Sequence, residues 1–215
     1  MYPEAVAHNT HETLIALSES YVYKDVFAFD FIKKSDSIVK LLQALAYQIG
    51  SQVSYNELAQ TVGIDTKTVQ KYIHILEQAF IIFRLPSFAR NLRNELKKTQ
   101  KIYFRDVGIR NSIIRRFATL DMRDDIGALR ENFAIAETLK ATDSQKLSIL
   151  SYFWRSKNQQ EIDLVQDYNG KIRAYEMKRS QTKKVSRPVI FIEEYKPACK
   201  VIHRGNRQEI GKIEE

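Results

Sequence analysis

Glu161-Ile-Asp163-Leu-Val-Gln-Asp-Tyr168-Asn169-Gly170-Lys171-Ile-Arg-Ala-Tyr175-Glu176-Met177-Lys178 decides how the second half of this chain folds. Asn-Gly is the strongest short-range signal for a two-residue hairpin turn. Placed at the tip, it sets Tyr168 against Lys171, Asp163 against Glu176 and Glu161 against Lys178. Side chains alternate across a strand, so Glu161, Asp163, Glu176 and Lys178 share one face. The other face carries Ile162, Leu164, Tyr175 and Met177 and reads as core. A four-residue loop keeps this pairing. A three-residue loop sets Asp163 against Tyr175 and mixes polar with apolar positions, so the pattern selects the first register.

That register poses a chemical problem. Directly opposed residues have Cβ atoms about 4.5–5.5 Å apart. Two carboxylates about 5 Å apart repel by roughly 3 kcal/mol at an effective dielectric of 20. A divalent cation turns the repulsion into binding, and Mg²⁺ favours one or two carboxylates with water and substrate phosphates. A lysine two residues beyond one ligand is placed to position or deprotonate water, or to steady a phosphate. The bland alternative is a solvated strand face with a Glu161–Lys178 ion pair.

Asp163 followed by Glu176-Met-Lys178 resembles the signature of the PD-(D/E)xK nuclease superfamily. The resemblance implies a restriction-endonuclease-like αβββαβ core: helix, three antiparallel strands, helix, strand. The flanking sequence follows that order. A helix is expected from Asp125 to Lys140, with strands from Leu147 to Arg155, Gln160 to Gln166 and Lys171 to Lys178. A short helix from Ser186 to Tyr195 has Ser186 as cap and Pro188 in its first turn. The last strand runs from Cys199 to His203. The resemblance implies catalytic roles for Asp163, Glu176 and Lys178. It also implies a Mg²⁺ or Mn²⁺ site made by Asp163, Glu176 and Glu131, the last lying in Gly127-Ala-Leu-Arg-Glu131-Asn132. The motif does not require Glu161.

A closer resemblance spans nearly the whole chain. It rests on Tyr2-Pro-Glu4, Tyr23-Lys-Asp25, Lys71-Tyr72 before Leu76-Glu77, and Lys101-Ile-Tyr-Phe-Arg-Asp106-Val-Gly108. Glu131-Asn132, Tyr152-Phe-Trp154-Arg155 and Glu161-Ile-Asp163 continue it. Together they look like the C-terminal half of a prokaryotic AAA+ ATPase family, a domain of unknown function with a winged-helix part and a nuclease-like part. The resemblance implies an ATPase domain on the N-terminal side of the same polypeptide. A phosphate loop needs Gly-Lys followed by Ser or Thr. Neither Gly170-Lys171 nor Gly211-Lys212 continues that way, so no ATPase activity is expected from this segment.

The first half carries a helix-turn-helix pattern. From Ser35 to Ile49, Ile38, Leu41, Leu42, Leu45 and Ile49 recur at helical spacing, and Gly50 closes the helix. Ser54-Tyr-Asn-Glu57 is a capping box that opens a second helix with Leu58 and Val62 inward. Gly63 makes the turn, and Asp65 caps a third helix from Thr66 to Gln78 with Val69, Tyr72, Ile73 and Leu76 inward. Thr66, Lys67, Gln70, Lys71 and His74 are left for the outer face, residue types that reach phosphates and base edges. Phe80 to Leu85 and Lys101 to Phe104 read as two wing strands around a Pro86 to Gln100 loop.

The net charge is +8 at pH 7. Between Arg84 and Arg116 the basic residues are Arg84, Arg90, Arg93, Lys97, Lys98, Lys101, Arg105, Arg110, Arg115 and Arg116, against only Glu95 and Asp106. Such a concentration is the footprint of polyanion binding, with a solvated loop as the alternative. Thr66, Lys67, Gln70, Lys71, Arg90, Arg93, Lys97 and Lys98 are therefore the candidate nucleic-acid contacts. Winged helices also dock proteins, so the fold alone does not decide.

Composition narrows the remaining classes. The single cysteine, Cys199, forms no internal disulfide, reads as a small apolar residue and fits a reducing cytoplasm. No apolar run approaches a membrane span, and the N-terminus lacks the pattern of a signal peptide. His8, His11, His74 and His203 make no zinc pattern. The expected fold class is α/β (α+β). Residues 1–34 form an N-terminal helical segment, helical from about Thr10 to Tyr23, with Leu14, Leu17 and Tyr21 as its stripe. Residues 35–107 form the winged helix, and 108–124 a connecting basic helix read from Val107 to Leu120. Residues 125–205 form the nuclease-like part and 206–215 a tail. The functional expectation is binding of nucleic acid, with DNA as the expected partner, by the C-terminal region of an AAA+ ATPase-family protein that also carries a candidate site for metal-dependent phosphodiester cleavage. The alternative is a non-catalytic module that binds DNA or protein and regulates an ATPase.

Overall fold

The computed structural model describes residues 10–21, 35–89, 99–146, 148–178, 188–203 and 205–206. These residues fall into two compact units, one from residues up to 84 and 102–126, the other from 85–101 and 127 onward. Among the described residues the fold is mixed α+β, with seven α-helices and two sheets. No described helix is long and apolar enough to cross a membrane.

The first unit follows its apolar spacing. In α1 (His11–Tyr21), Leu14 and Leu17 are half-buried. In α2 (Ser35–Tyr47), Ile38, Leu41, Leu42 and Leu45 are buried, because residues three and four apart share a helix face. Gly50 follows at φ 76°, a left-handed turn that glycine adopts without a Cβ clash. After β1 (Gln52–Val53), the Ser54 side chain accepts the Glu57 N–H and caps α3 (Tyr55–Val62). Gly63 ends α3 at φ 75°. The Asp65 carboxylate then accepts the Thr68 N–H at 2.9 Å and caps α4 (Thr66–Gln78). Thr66 Oγ1 donates to Asn56 Oδ1 at 3.0 Å and ties α4 to α3.

β2 (Ile82–Pro86) and β3 (Gln100–Phe104) join β1 in a sheet of order β1-β3-β2. β2 starts later than the spacing predicts. Phe80 has φ 55° and its N–H donates to Glu77 O at 2.9 Å, so Phe80 and Ile81 complete the turn off α4. The start of the expected wing loop is engaged elsewhere. Ser87 bridges Phe153 in parallel, and the Phe88 N–H donates to Phe153 O at 2.6 Å within the second unit.

The expected helix from Val107 to Leu120 is shorter in the structure. Asp106 accepts the Gly108 and Ile109 N–H groups and caps α5 (Val107–Ile113). A Cβ on Gly108 would lie 2.8 Å from Asp106 Oδ1, so the cap itself requires glycine there. Arg115 at φ 50° breaks the helix. The arginines then serve a buried network. Arg110, 1% exposed, donates to Ala46 O at 2.8 Å and to Asp125 Oδ2 at 2.6 Å. Arg123 adds Nε to Asp125 Oδ1 at 2.8 Å, and Arg116 pairs with Asp124. Arg123, then Arg110, hold the Asp125 carboxyl well below the usual carboxylate range against the opposing effect of burial.

The second unit has the order α6 (Ile126–Ser144), β4 (Leu150–Arg155), β5 (Glu161–Tyr168), β6 (Lys171–Met177), α7 (Val189–Tyr195) and β7 (Ala198–Ile202). α6 runs one turn beyond the expected end and stops where Lys146 takes φ 54°. Pro188 is the cap residue of α7 rather than part of its first turn, and Ser186 lies outside the described residues. The sheet order is β4-β5-β6-β7, antiparallel except for the parallel β6–β7 pair. One face packs Trp154, Ile162, Val165 and Ala174 with Phe88 and Phe191. Phe191 on α7 is fully buried, with ring centroids 5.0 Å from Trp154 and 6.0 Å from Phe88.

The arginine network yields a stability prediction. Breaking one side of a buried pair costs about 3–5 kcal/mol, whereas an exposed pair such as Arg115–Glu19, 3.6 Å apart, contributes about 0–1 kcal/mol. Urea unfolding of Arg110→Ala should show a loss in the first range and Arg115→Ala in the second. Equal effects would mean that Arg110 does not hold the unit together.

Candidate metal centre

The hairpin pairs as the Asn-Gly turn predicts. Tyr168 faces Lys171, and the ladder continues to Leu164 against Tyr175. Beyond that point the Asp163 carboxylate accepts the Met177 N–H at 2.6 Å. A side chain thus takes a hydrogen bond that a regular ladder would assign to the β5 backbone.

The alternation expected along β5 does not hold, and the reason is visible in its other partner. Tyr152 faces Val165 and Trp154 faces Ile162. Asp163 and Leu164 therefore lie against the single residue Phe153, which is a β-bulge. Across a bulge the inside–outside parity changes. Ile162 joins Val165 and Ala174 in one cluster, although regular alternation would send Ile162 and Val165 to opposite faces. The expected shared face of Ile162 and Leu164 is corrected accordingly.

Bulge and helix together gather the acidic side chains. Glu131 comes from the second turn of α6, and Glu161 and Asp163 from the start of β5. One carboxylate oxygen from each lies within 4.8 Å of the others. Glu176, at the end of β6, is buried and pairs with Lys178 Nζ at 2.7 Å. The sequence-derived ligand set was Glu131, Asp163 and Glu176; the set gathered here has Glu161 as its third member. Glu176 still contributes to the field on Asp163. The Glu161–Lys178 ion pair of the bland alternative is not what forms: Glu161 meets Lys101, and Arg155 Nε at 3.5 Å, while Lys178 meets Glu176.

Lys101 has no counterpart among the sequence-derived site residues. Its side chain is 3% exposed and its Nζ lies 3.0 Å from Glu131 Oε1, in contact with Glu161 Oε1. Burial pulls the ammonium down, but Glu131 and Glu161 outweigh it and hold Lys101 above its ordinary value. Glu176 likewise outweighs burial at Lys178, which therefore stays protonated at neutral pH. Lys178 can donate to a phosphate or water oxygen but is no base. At Asp163, burial and then the Glu131 charge push the carboxyl up to about 7, against the Met177 N–H and Lys101. The carboxyls of Glu131, Glu161, Glu176 and Asp163 exceed the cations Lys101, Arg155 and Lys178 by one. A proton on Asp163 balances the set, and a divalent ion would replace that proton. Three carboxylate oxygens this close fit a hard divalent cation such as Mg²⁺ or Mn²⁺.

In the first unit, Lys67, Gln70, Lys71 and His74 are exposed on α4, and Thr66 is half-buried against Asn56. A groove of about 930 Å³ beside them is lined by Asn56, Gln60, Asp65, Thr66, Thr68 and Lys71 among others. Arg90, Arg93, Lys97 and Lys98 lie outside the described residues. The remaining cations of the basic stretch have partners that a local charge count misses. Arg84 pairs with Glu77 at 2.5 Å, Arg105 stacks over the Phe83 ring at 5.0 Å, and Lys101 and Arg110 are buried in ion pairs.

An α+β chain with an acidic cluster in its second unit matches two family models. The model described as domain of unknown function DUF8612 matches residues 1–120, more than half of the chain, and the chain belongs to that family. The model described as domain of unknown function DUF4143 matches residues 126–214. Uncharacterized proteins of Mycobacterium bovis and Mycobacterium tuberculosis are each 27% identical over 146 residues, 66% of this chain and 32% of theirs. An uncharacterized protein of Methanocaldococcus jannaschii is 28% identical over 127 residues, 57% of this chain and 26% of its own. The chain spans about a third or less of the length of these relatives. No solved structure matches significantly.

The raised Asp163 carboxyl predicts a pH dependence. Its ordinary value is 3.8, against about 7 in the fold. Between these values the folded protein keeps a proton that the unfolded chain has released. Stability in chelator should then fall as pH rises from about 4 to about 7, by at most on the order of 4 kcal/mol. Asp163→Asn should flatten that slope and raise stability at neutral pH. Parallel pH profiles for the two proteins in urea would show that Asp163 is not strained.

Proposed function

We propose that this chain is the nucleic-acid-binding C-terminal region of an AAA+ ATPase-family polypeptide. Residues 35–107 act as a winged helix and residues 125–205 as a PD-(D/E)xK-like nuclease domain. The observation that carries the reading is the convergence of Glu131, Glu161 and Asp163 beside a protonated Lys178. The order α6, three antiparallel strands, α7 and a parallel last strand supports it, because that is the order the Asp plus Glu-x-Lys motif calls for.

In this reading Glu131, Glu161 and Asp163 hold Mg²⁺ or Mn²⁺, with Glu176 adding negative field. The ion supplies Lewis-acid polarisation of a phosphodiester. Lys178, charged and anchored by Glu176, donates a hydrogen bond to the phosphate or to the attacking water. To serve as a ligand, Asp163 would have to be ionised. In the first unit, Lys67, Gln70, Lys71 and His74 face a DNA duplex from α4, and Thr66 supports them. Arg90, Arg93, Lys97 and Lys98 contact its phosphates. A non-catalytic regulatory module is the second reading, and the Lys101 ammonium favours it, since it already pairs with both Glu131 and Glu161.

Mn²⁺ or Mg²⁺ should raise the melting temperature by linkage, and Asp163→Asn should abolish the rise. Lys178→Ala should keep the rise yet lower cleavage of plasmid and labelled single strands by about 100-fold or more. Duplex binding should weaken steeply with salt, and Lys67→Ala with Lys71→Ala should weaken it and flatten the salt slope. Metal and DNA binding without cleavage would replace the nuclease with the regulatory module.

A further inference from the structure

Lys101 sits at the start of β3, a strand whose residues from Lys101 to Phe104 are all buried. Its ammonium lies 3.0 Å from Glu131 Oε1 and touches Glu161 Oε1, with the Phe153 ring centroid 5.5 Å away. A lysine that is 3% exposed keeps its charge through these carboxylates rather than through water. The two carboxylates that it joins are two of the three that converge with Asp163. A positive charge therefore already stands between the groups that would ligate a divalent ion.

We infer that Lys101 is the resident cation of this cluster and that divalent metal enters by exchange for it, the ammonium withdrawing from Glu131 and Glu161 as the ion takes its place. The inference deepens the metal-site reading above and rests on it. Two consequences follow from charge alone. An ammonium within contact of two ligands repels an arriving dication and occupies one lone-pair direction on each carboxylate, so Lys101 lowers metal affinity. The same ammonium keeps Glu131 and Glu161 together without metal, so the fold does not depend on the ion. Lys101 thereby sets the metal concentration at which the site changes state. Asp163, held by the Met177 N–H at 2.6 Å, would be the ligand that the exchange leaves in place.

The test is a titration of the full chain with Mn²⁺ alone, counting free ion by its electron paramagnetic resonance signal. Lys101→Met should bind one ion with a dissociation constant at least about tenfold lower than the unaltered chain. Adding Asp163→Asn to Lys101→Met should remove that binding. Tight binding by Lys101→Met with none by the unaltered chain also supports exchange, as its limiting case. Equal or weaker binding by Lys101→Met overturns the inference and leaves the metal site standing, with Lys101 holding its ligands in place. No binding by either protein overturns both. If Lys101→Met fails to fold in chelator, Lys101→Gln is the second variant and refolding on addition of Mn²⁺ is the readout. Recovery supports exchange, and failure of both variants in Mn²⁺ makes Lys101 a structural ion that no metal replaces.

Discussion

A buried ammonium between two carboxylates is the constraint around which the second unit is arranged. Taking a lysine out of water costs several kcal/mol unless the site returns that energy through close opposite charges. Glu131 on α6 and Glu161 on β5 do so, and Arg155 extends the pairing to β4. Helix, strand and the segment that enters from β3 are thereby tied at one point. The local charge then determines the state of Asp163. Its carboxyl is pushed up to about 7 because burial and Glu131 disfavour its anion more than Lys101 and the Met177 N–H favour it. The cluster is thus near neutral without metal, with a releasable proton in the position where a ligand is needed.

Much of this was legible in the residues. The Asn169-Gly170 turn set the register from Tyr168 to Leu164, because a two-residue turn leaves the flanking strands no freedom to slip. Ser54, Gly63 and Asp65 marked the helix ends, because caps act through bonds to backbone only a few residues away. The order of helices and strands in the second unit was legible for the same local reasons. The bulge at Asp163 and Leu164 was not. It arises from the pairing of β5 with β4, and nothing within the hairpin β5–β6 records it. Alternation alone therefore places Ile162 and Leu164 on one face, which the bulge separates.

Charge was the other place where local reading fell short. Counting from Arg84 to Arg116 found a basic stretch, yet Glu77, Asp124, Asp125, Glu131 and Glu161, all outside that window, pair with its members. Coulomb partners are set by distance in space, and a window along the chain cannot see them. One signal was present for Lys101. In Lys101-Ile-Tyr-Phe104 the lysine opens a run of bulky apolar residues with no alternation, the mark of a strand covered on both faces. A lysine in such a strand requires a buried anion.

Lys101 and Phe88 also show that inheritance and folding divide this chain differently. Both lie within the stretch matched by the first family model, while the residues that they contact belong to the stretch matched by the second. Recombination at the family border would separate an ammonium from its carboxylates and an aromatic ring from its cluster around Phe191. A second segment that acquired a new N-terminal partner would have to receive a cation and a ring from it, or lose charge and bulk at those positions. The two segments are therefore expected to change together at these contacts, as parts of one folding unit that crosses a family boundary.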